Sequence, residues 1–408
     1  AITSQPASAN AIAVAAPIPE LAPVTRATPM IIPRLHADIC SVYLRLGCQP
    51  RYNWQMRMQS PPGQALQENL LSLGWRPFFS AQAAPVADAV PARVTAVHRG
   101  LVDVAGEDIC AVLPLAGRAA ALSITVGDWV WLDPDQTRVL GRLDRSGSFC
   151  RVAAGNESTV QDVAANVDTL FIVTSANRDF NVARLERYLS LACEASAFPV
   201  IVITKADLVD EVASFRNRAA ELKPGLLVET VDARAPQSVE VLNGWCGTGQ
   251  TVALVGSSGV GKSTLVNTLG ESVLATSGVR ENDQRGRHTT TGRSMHRLPA
   301  GGWLIDTPGM RELKLVDADG GLRDVFAEIE ILGRDCRFSD CGHGGEPGCA
   351  VGAAIEAGTL DVDRLHRYRK LIAENRRHSE SVGQRRARER AQGRLYKSIQ
   401  SDNPKLKS

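Results

Sequence analysis

The 408-residue chain contains no run of eighteen or more apolar residues, which excludes an apolar helix long enough to cross a bilayer. It also has no C-x-x-C pair, so thiol–disulfide exchange through that motif is excluded. Its opening stretch, "AITSQPASANAIAVAAPIPELAPVTRATP", lacks the charged start and continuous apolar centre of a secretory signal. That stretch is acid-poor, as a transit peptide is, but holds a single Arg. Residues 1–57 are expected to be a disordered extension, or to lie upstream of a true start at Met58. No internal repeat is visible. The 9 cysteines are odd in number and scattered apart from one C-terminal cluster, which argues against a secreted disulfide framework. They point instead to a reducing, cytoplasmic setting and a metal site.

What the chain does have is ordinary globular composition, 44% hydrophobic and 22% charged, with room for two or three domains. A net charge of +2 conceals an asymmetry. Residues 364–408 hold 14 Lys and Arg against 4 Asp and Glu, a local +10 that leaves −8 for the remainder. A basic tail on a mildly acidic body suits a polyanionic partner, or a solvated helix with a frayed end.

Three patterns follow one another along the chain. After a lead-in over 58–91, short β-type runs such as "ARVTAVHRG", "LVDVAG" and "GDWVWLD" alternate with turn signals over 92–160, as in a five-stranded OB-type β-barrel. Over 161–328, buried apolar runs ("DTLFIVTSA", "FPVIVITKADL", "TVALVG", "GWLIDTPG") alternate with helical stretches, the pattern of a mostly parallel α/β sheet. Residues 329–375 carry a Cys/His cluster and helix, and 376–408 form the basic tail.

Gly256-Ser257-Ser258-Gly259-Val260-Gly261-Lys262-Ser263 fits G-x-x-x-x-G-K-[ST] and is followed by Thr264. It stands between an apolar strand and a helix, the context a phosphate cradle requires. Its glycines let backbone N–H groups face phosphate oxygens, Lys262 would neutralise the β and γ phosphates, and Ser263 would ligate Mg²⁺. "IDTPG" supplies Asp306, suited to hold Mg²⁺ through water, and Gly309, whose N–H can sense a γ-phosphate.

Thr204-Lys205-Ala206-Asp207 ends a different apolar strand. The Asp207 carboxylate can accept from guanine N1–H and the 2-amino group together, a donor pair adenine lacks. Lys205 can cover the base with its aliphatic stem. GTPases usually have Asn where Thr204 stands, and "VDAR" at Val231 to Arg234 occupies the place of a supporting Ser-Ala loop. Base reader therefore precedes phosphate cradle, the reverse of the usual GTPase order. Downstream, Cys336-x4-Cys341-x-His343-x5-Cys349 offers three thiolates and one imidazole, spaced to close a tetrahedron around structural Zn²⁺.

This order, with "GRHTTT", "GSSGVGKSTLVN", "LIDTPGMREL" and "CRFSDCGHGGEPGCAV", resembles the RsgA (YjeQ) family of circularly permuted GTPases over roughly 92–373. The resemblance implies an N-terminal OB-fold, a permuted G domain and an α-helical zinc domain. It also implies GTP hydrolysis, with Mg²⁺, stimulated by the small ribosomal subunit in its late assembly. The implied partners are that subunit and its rRNA, GTP and GDP, with no membrane, for a monomer. Met310 stands where many small GTPases place a water-orienting Gln soon after DTPG, and the resemblance hands that role to His288. Lys262 is the other candidate catalytic group. One of Thr289, Thr290 and Thr291 would bind Mg²⁺ in the GTP state. The alternatives are a nucleotide-gated RNA-binding protein with little hydrolysis, which Met310 and Thr204 favour, and a P-loop ATPase or kinase, which "TKAD" opposes.

Overall fold

The computed structural model describes residues 70–117, 122–152, 160–270, 293–306, 310, 313 and 315–379. All of them belong to the second of the two units into which the chain divides, with the boundary between Pro61 and Pro62. His288, the switch threonines, Gly309 and the tail beyond residue 379 lie outside the described residues.

The first part is a helical turn, α1 (Pro77–Ser80), and five antiparallel strands. These are β1 (Val90–His98), β2 (Leu101–Gly106), β3 (Ile109–Pro114), β4 (Trp129–Leu132) and β5 (Val139–Arg142), in the sheet order β3-β2-β1-β4-β5. Alternating Ala92, Val94, Val102, Val104, Val130 and Leu132 point to one interior and make a separate apolar core. Among the described residues no ladder joins β3 to β5, so the five strands are seen as an antiparallel sheet and not as a closed barrel. A hairpin of β6 (Ser148–Val152) and β7 (Val160–Ala165) follows.

The second part is the α/β sheet. Its strands are β8 (Thr169–Ser175), β9 (Phe198–Thr204), β10 (Leu227–Thr230), β11 (Thr251–Val255), β12 (Arg293–Arg297) and β13 (Trp303–Asp306). The order is β10-β9-β8-β11-β13-β12, parallel throughout except for β12. Every residue of β8 and β11 is buried, as expected for parallel strands covered on both faces. Leu170 and Ile172 pack on one face with helix α2 (Val182–Glu194), while Phe171 and Val173 pack on the other with Leu265 and Val266. The remaining helices of this part are α3 (Val212–Ala220), α4 (Pro236–Val239) and α5 (Lys262–Leu269).

One strand joins the two parts. β1 pairs with β4 through Val90–Arg93 and with β12 through Ala96 and Val97, and a register shift between Val94 and Ala96 separates the two pairings. The residues before β1 pack just as firmly. Leu73 and Phe79 are buried, Arg76 pairs with Asp168, and Trp303 Nε1 donates to the Ser72 carbonyl at 2.8 Å.

Helices α6 (Asp319–Val325), α7 (Ala327–Gly333), α8 (Ala350–Glu356) and α9 (Val362–Ser379) complete the described chain. Their apolar residues Leu322, Val351, Leu365 and Leu371, with Phe326 between α6 and α7, join the core that lies on the α2 face of the sheet. Fully burying each such side chain is worth about 1.5–3 kcal/mol. Among the described residues no helix is long and apolar enough to cross a membrane.

Candidate functional site

Parallel strands put their carboxyl ends along one edge, where open α/β sheets bind ligands. Thr204 ends β9, the VDAR loop follows β10, the cradle follows β11, and Asp306 ends β13. Residues far apart in sequence, in an order reversed along the chain, thus meet at one rim.

The cradle adopts backbone that L side chains disfavour. Gly256 has φ 147°, and a Cβ there would stand 2.2 Å from the Val173 carbonyl oxygen, so the loop lies directly on β8. Gly261, at φ 93°, caps α5. Lys262 is 9% exposed, and its Nζ donates to the Gly256 carbonyl at 2.7 Å and to that of Ser257. Gly259 and Val260 complete the loop, and Ser263 and Thr264 stand in the first turn of α5.

Thr204 is wholly buried, with its Oγ1 2.5 Å from the Val260 carbonyl and 3.0 Å from that of Thr174. The hydroxyl therefore ties the base reader to the cradle. Lys205 follows in left-handed conformation at φ 58°, which turns the chain so that Ala206 and Asp207 begin a 3-10 turn at the rim. Arg234 Nη2 donates to Asp207 Oδ2 at 2.7 Å, and its Nε lies 3.3 Å from Asp232 Oδ1. In the VDAR loop the Asp232 N–H donates to Ser238 Oγ and the Arg234 N–H to Asp232 Oδ1. That backbone N–H, chief among the causes, holds the Asp232 carboxyl below its ordinary value. The N–H of buried Ala233, between them, has no partner among the described residues.

The sequence marks Asp207, the cradle and the VDAR loop that holds Ala233 and Arg234, but not the Arg234–Asp207 pairing or Arg184, whose Nη1 donates to Ser257 Oγ. Exposed arginines carry no spacing signature, so nothing local could have singled them out. Met310, in contrast, is 2% exposed and packs into the core, remote from any water-orienting role.

The second cluster lies between α7 and α8. The ligand atoms of Cys336, Cys341, His343 and Cys349 all fall within 4.8 Å of one another. Tetrahedral zinc with ordinary bond lengths requires edges of about 3.8 Å between sulfurs and about 3.6 Å from sulfur to nitrogen. Cys336 and Cys349 Sγ are 3.9 Å apart, and each is 3.6 Å from His343 Nδ1. Positive φ at His343 and at Gly345 and Gly348 winds the loop around this centre. The N–H of His343 pulls the Cys341 thiol down, but desolvation and the thiols of Cys349 and Cys336 push it up to about 11. Three thiols this close ionise together only around a cation. The donor set and its edges are compatible with tetrahedral zinc.

Fold and rim together define a circularly permuted GTPase. A family model described as RsgA GTPase matches residues 142–316. Small ribosomal subunit biogenesis GTPase RsgA 2 of Vibrio parahaemolyticus is 48% identical over 342 residues, covering 82% of this chain and 94% of that protein. The RsgA protein of Mesorhizobium japonicum is 50% identical over 316 residues, covering 76% and 91%. Among solved structures, YjeQ from Thermotoga maritima superposes with TM-score 0.53 at 27% identity, covering 70% of this chain and 98% of that one. YloQ, described as a circularly permuted GTPase, gives 0.52 at 24%, covering 74% and 99%. The chain belongs to the RsgA GTPase family.

Proposed function

We propose that this chain is a GTPase that binds the small ribosomal subunit, acts in its late assembly, and turns over faster when bound there. The observation that carries the nucleotide half is the Thr204–Val260 bond, which seats a guanine-type reader against a phosphate cradle. The ribosomal half rests on the names borne by relatives that match over most of their length.

In this reading Asp207 accepts from guanine N1–H and the 2-amino group, Lys205 covers the base, and the Ala233 N–H donates to the guanine carbonyl. The cradle N–H groups and Lys262 hold the β and γ phosphates. Mg²⁺ bound with the nucleotide would be held by Ser263, a switch threonine and, through water, Asp306, and would neutralise phosphate charge. Water, oriented by His288, attacks the γ-phosphorus, the bond to the β–γ bridging oxygen breaks, and GDP and phosphate leave. Binding to the subunit orders the switch, which accelerates the step.

The cysteine cluster holds one structural Zn²⁺, and 92–160 is an OB-type barrel for RNA. The division into extension (1–57), lead-in (58–91), barrel (92–160), G domain (161–328), zinc domain (329–375) and basic tail (376–408) belongs to the same reading, as do monomeric state and cytoplasmic location. Because the permutation places the zinc domain directly after switch II, nucleotide state can shift it relative to the barrel, two arms on one rRNA. Co-sedimentation with purified small subunits tests this. Binding should be strong with a GTP analogue and weak with GDP, and equal recovery with both would contradict nucleotide gating.

A further inference from the structure

Arg184 lies in the first turn of α2, three residues past the N-cap Asn181, whose side chain accepts from the Arg184 N–H at 3.0 Å. A cation is misplaced there, since the positive pole of a helix favours acidic residues, and this first turn has none. The Arg184 side chain is exposed, yet its guanidinium turns to the cradle, where Nη1 donates to Ser257 Oγ. Among the described residues it has no carboxylate partner, so a neutral hydroxyl takes one of its five donors. On the same residue, Lys262 Nζ donates to the backbone carbonyl. Two cations converge on Ser257, one from the cradle's own helix and one from α2.

We propose that Arg184 is a substrate-contacting residue that supplies positive charge in cis to the terminal phosphate of bound nucleotide. Its planar fork suits phosphate oxygens, and a short swing from the Ser257 hydroxyl aims it at the side of the cradle that Lys262 also serves. A diphosphate leaves that position empty, so Arg184 separates GTP from GDP. The inference rests on the cradle being a GTP site.

The test uses the full chain, its Arg184→Ala and Arg184→Lys variants, and equilibrium titration with GDP and with a non-hydrolysable GTP analogue. Loss of a charge-assisted phosphate contact should weaken the analogue about tenfold in Arg184→Ala. GDP affinity should stay within about twofold, and Arg184→Lys, a point charge without the fork, should recover part of the loss. An unchanged ratio of GTP-analogue to GDP affinity in both variants would overturn the proposal, and Arg184 would then be an incidental neighbour of Ser257. If the unaltered chain bound neither nucleotide, the failure would lie with the cradle reading, which this proposal needs.

Discussion

The Thr204 hydroxyl stands 2.5 Å from the carbonyl oxygen of Val260, a residue 56 positions further along the chain. That bond makes base reader and cradle one body, whichever comes first in sequence. The permuted order leaves the rim unaltered because parallel strands present the same ends however the chain connects them.

Replacing Thr204 with Val keeps the shape and removes the donor. The buried carbonyls of Thr174 and Val260 then lose a partner, at a cost of about 1–3 kcal/mol in unfolding free energy. Denaturant titration measures that cost. GTP and GDP affinities should fall in parallel, since both carry the base.

Asp207→Asn turns one acceptor into a donor. Xanthine carries a 2-oxo group where guanine has an amine, so the variant should prefer the xanthine nucleotide. A drop of tenfold or more in GTP affinity corresponds to about 1.4 kcal/mol or above. Competition between the two nucleotides reads the ratio, and undiminished guanine preference would remove Asp207 from the reader. Arg234 grips the same carboxylate from a side chain that is 68% exposed, so its truncation should have a smaller effect.

Local motifs were legible because their residues are neighbours in sequence. The cradle spans nine positions and the cysteine cluster fourteen, and both close on themselves as their spacing implies. What needed coordinates was pairing at long range: Thr204 with Val260, Arg184 with Ser257, and β1 with β12. Trp75, Phe79 and Trp129 stack together, so the segment before β1 belongs to the core although its sequence reads only as a lead-in. A Pro- and Gly-containing stretch without a clear period carries no signal of that packing.

Metal removal should be selective. A strong chelator should release one zinc per chain and expose the thiols of Cys336, Cys341 and Cys349 to alkylation. Cys246, whose thiol burial pushes up to about 12, should stay silent with and without metal. Mass mapping of the alkylated peptides decides, and equal labelling of the three thiols before and after chelation would contradict a zinc site.

Glu186 is fully buried on α2 and accepts from Arg364 at 2.8 Å and Arg367 at 2.8 Å, both on α9. Glu186→Gln takes the close carboxylate from Arg367, while Arg364 keeps Glu328 and the carbonyls of Leu222 and Val325, and should cost about 1–3 kcal/mol of unfolding free energy. Since these bonds tie α9 to α2, the variant should also loosen attachment of the C-terminal helix. Hydrogen exchange across 362–379 measures that loosening, and protection equal to that of the unaltered chain would contradict it.

The most direct measurement is GTP turnover by the full chain with and without purified small ribosomal subunits, with Lys262→Ala as control. The account predicts slow turnover alone, a large stimulation by subunits, and loss of both in the variant. Tight GTP binding with no stimulation would contradict it, and would leave a nucleotide-gated RNA binder in its place.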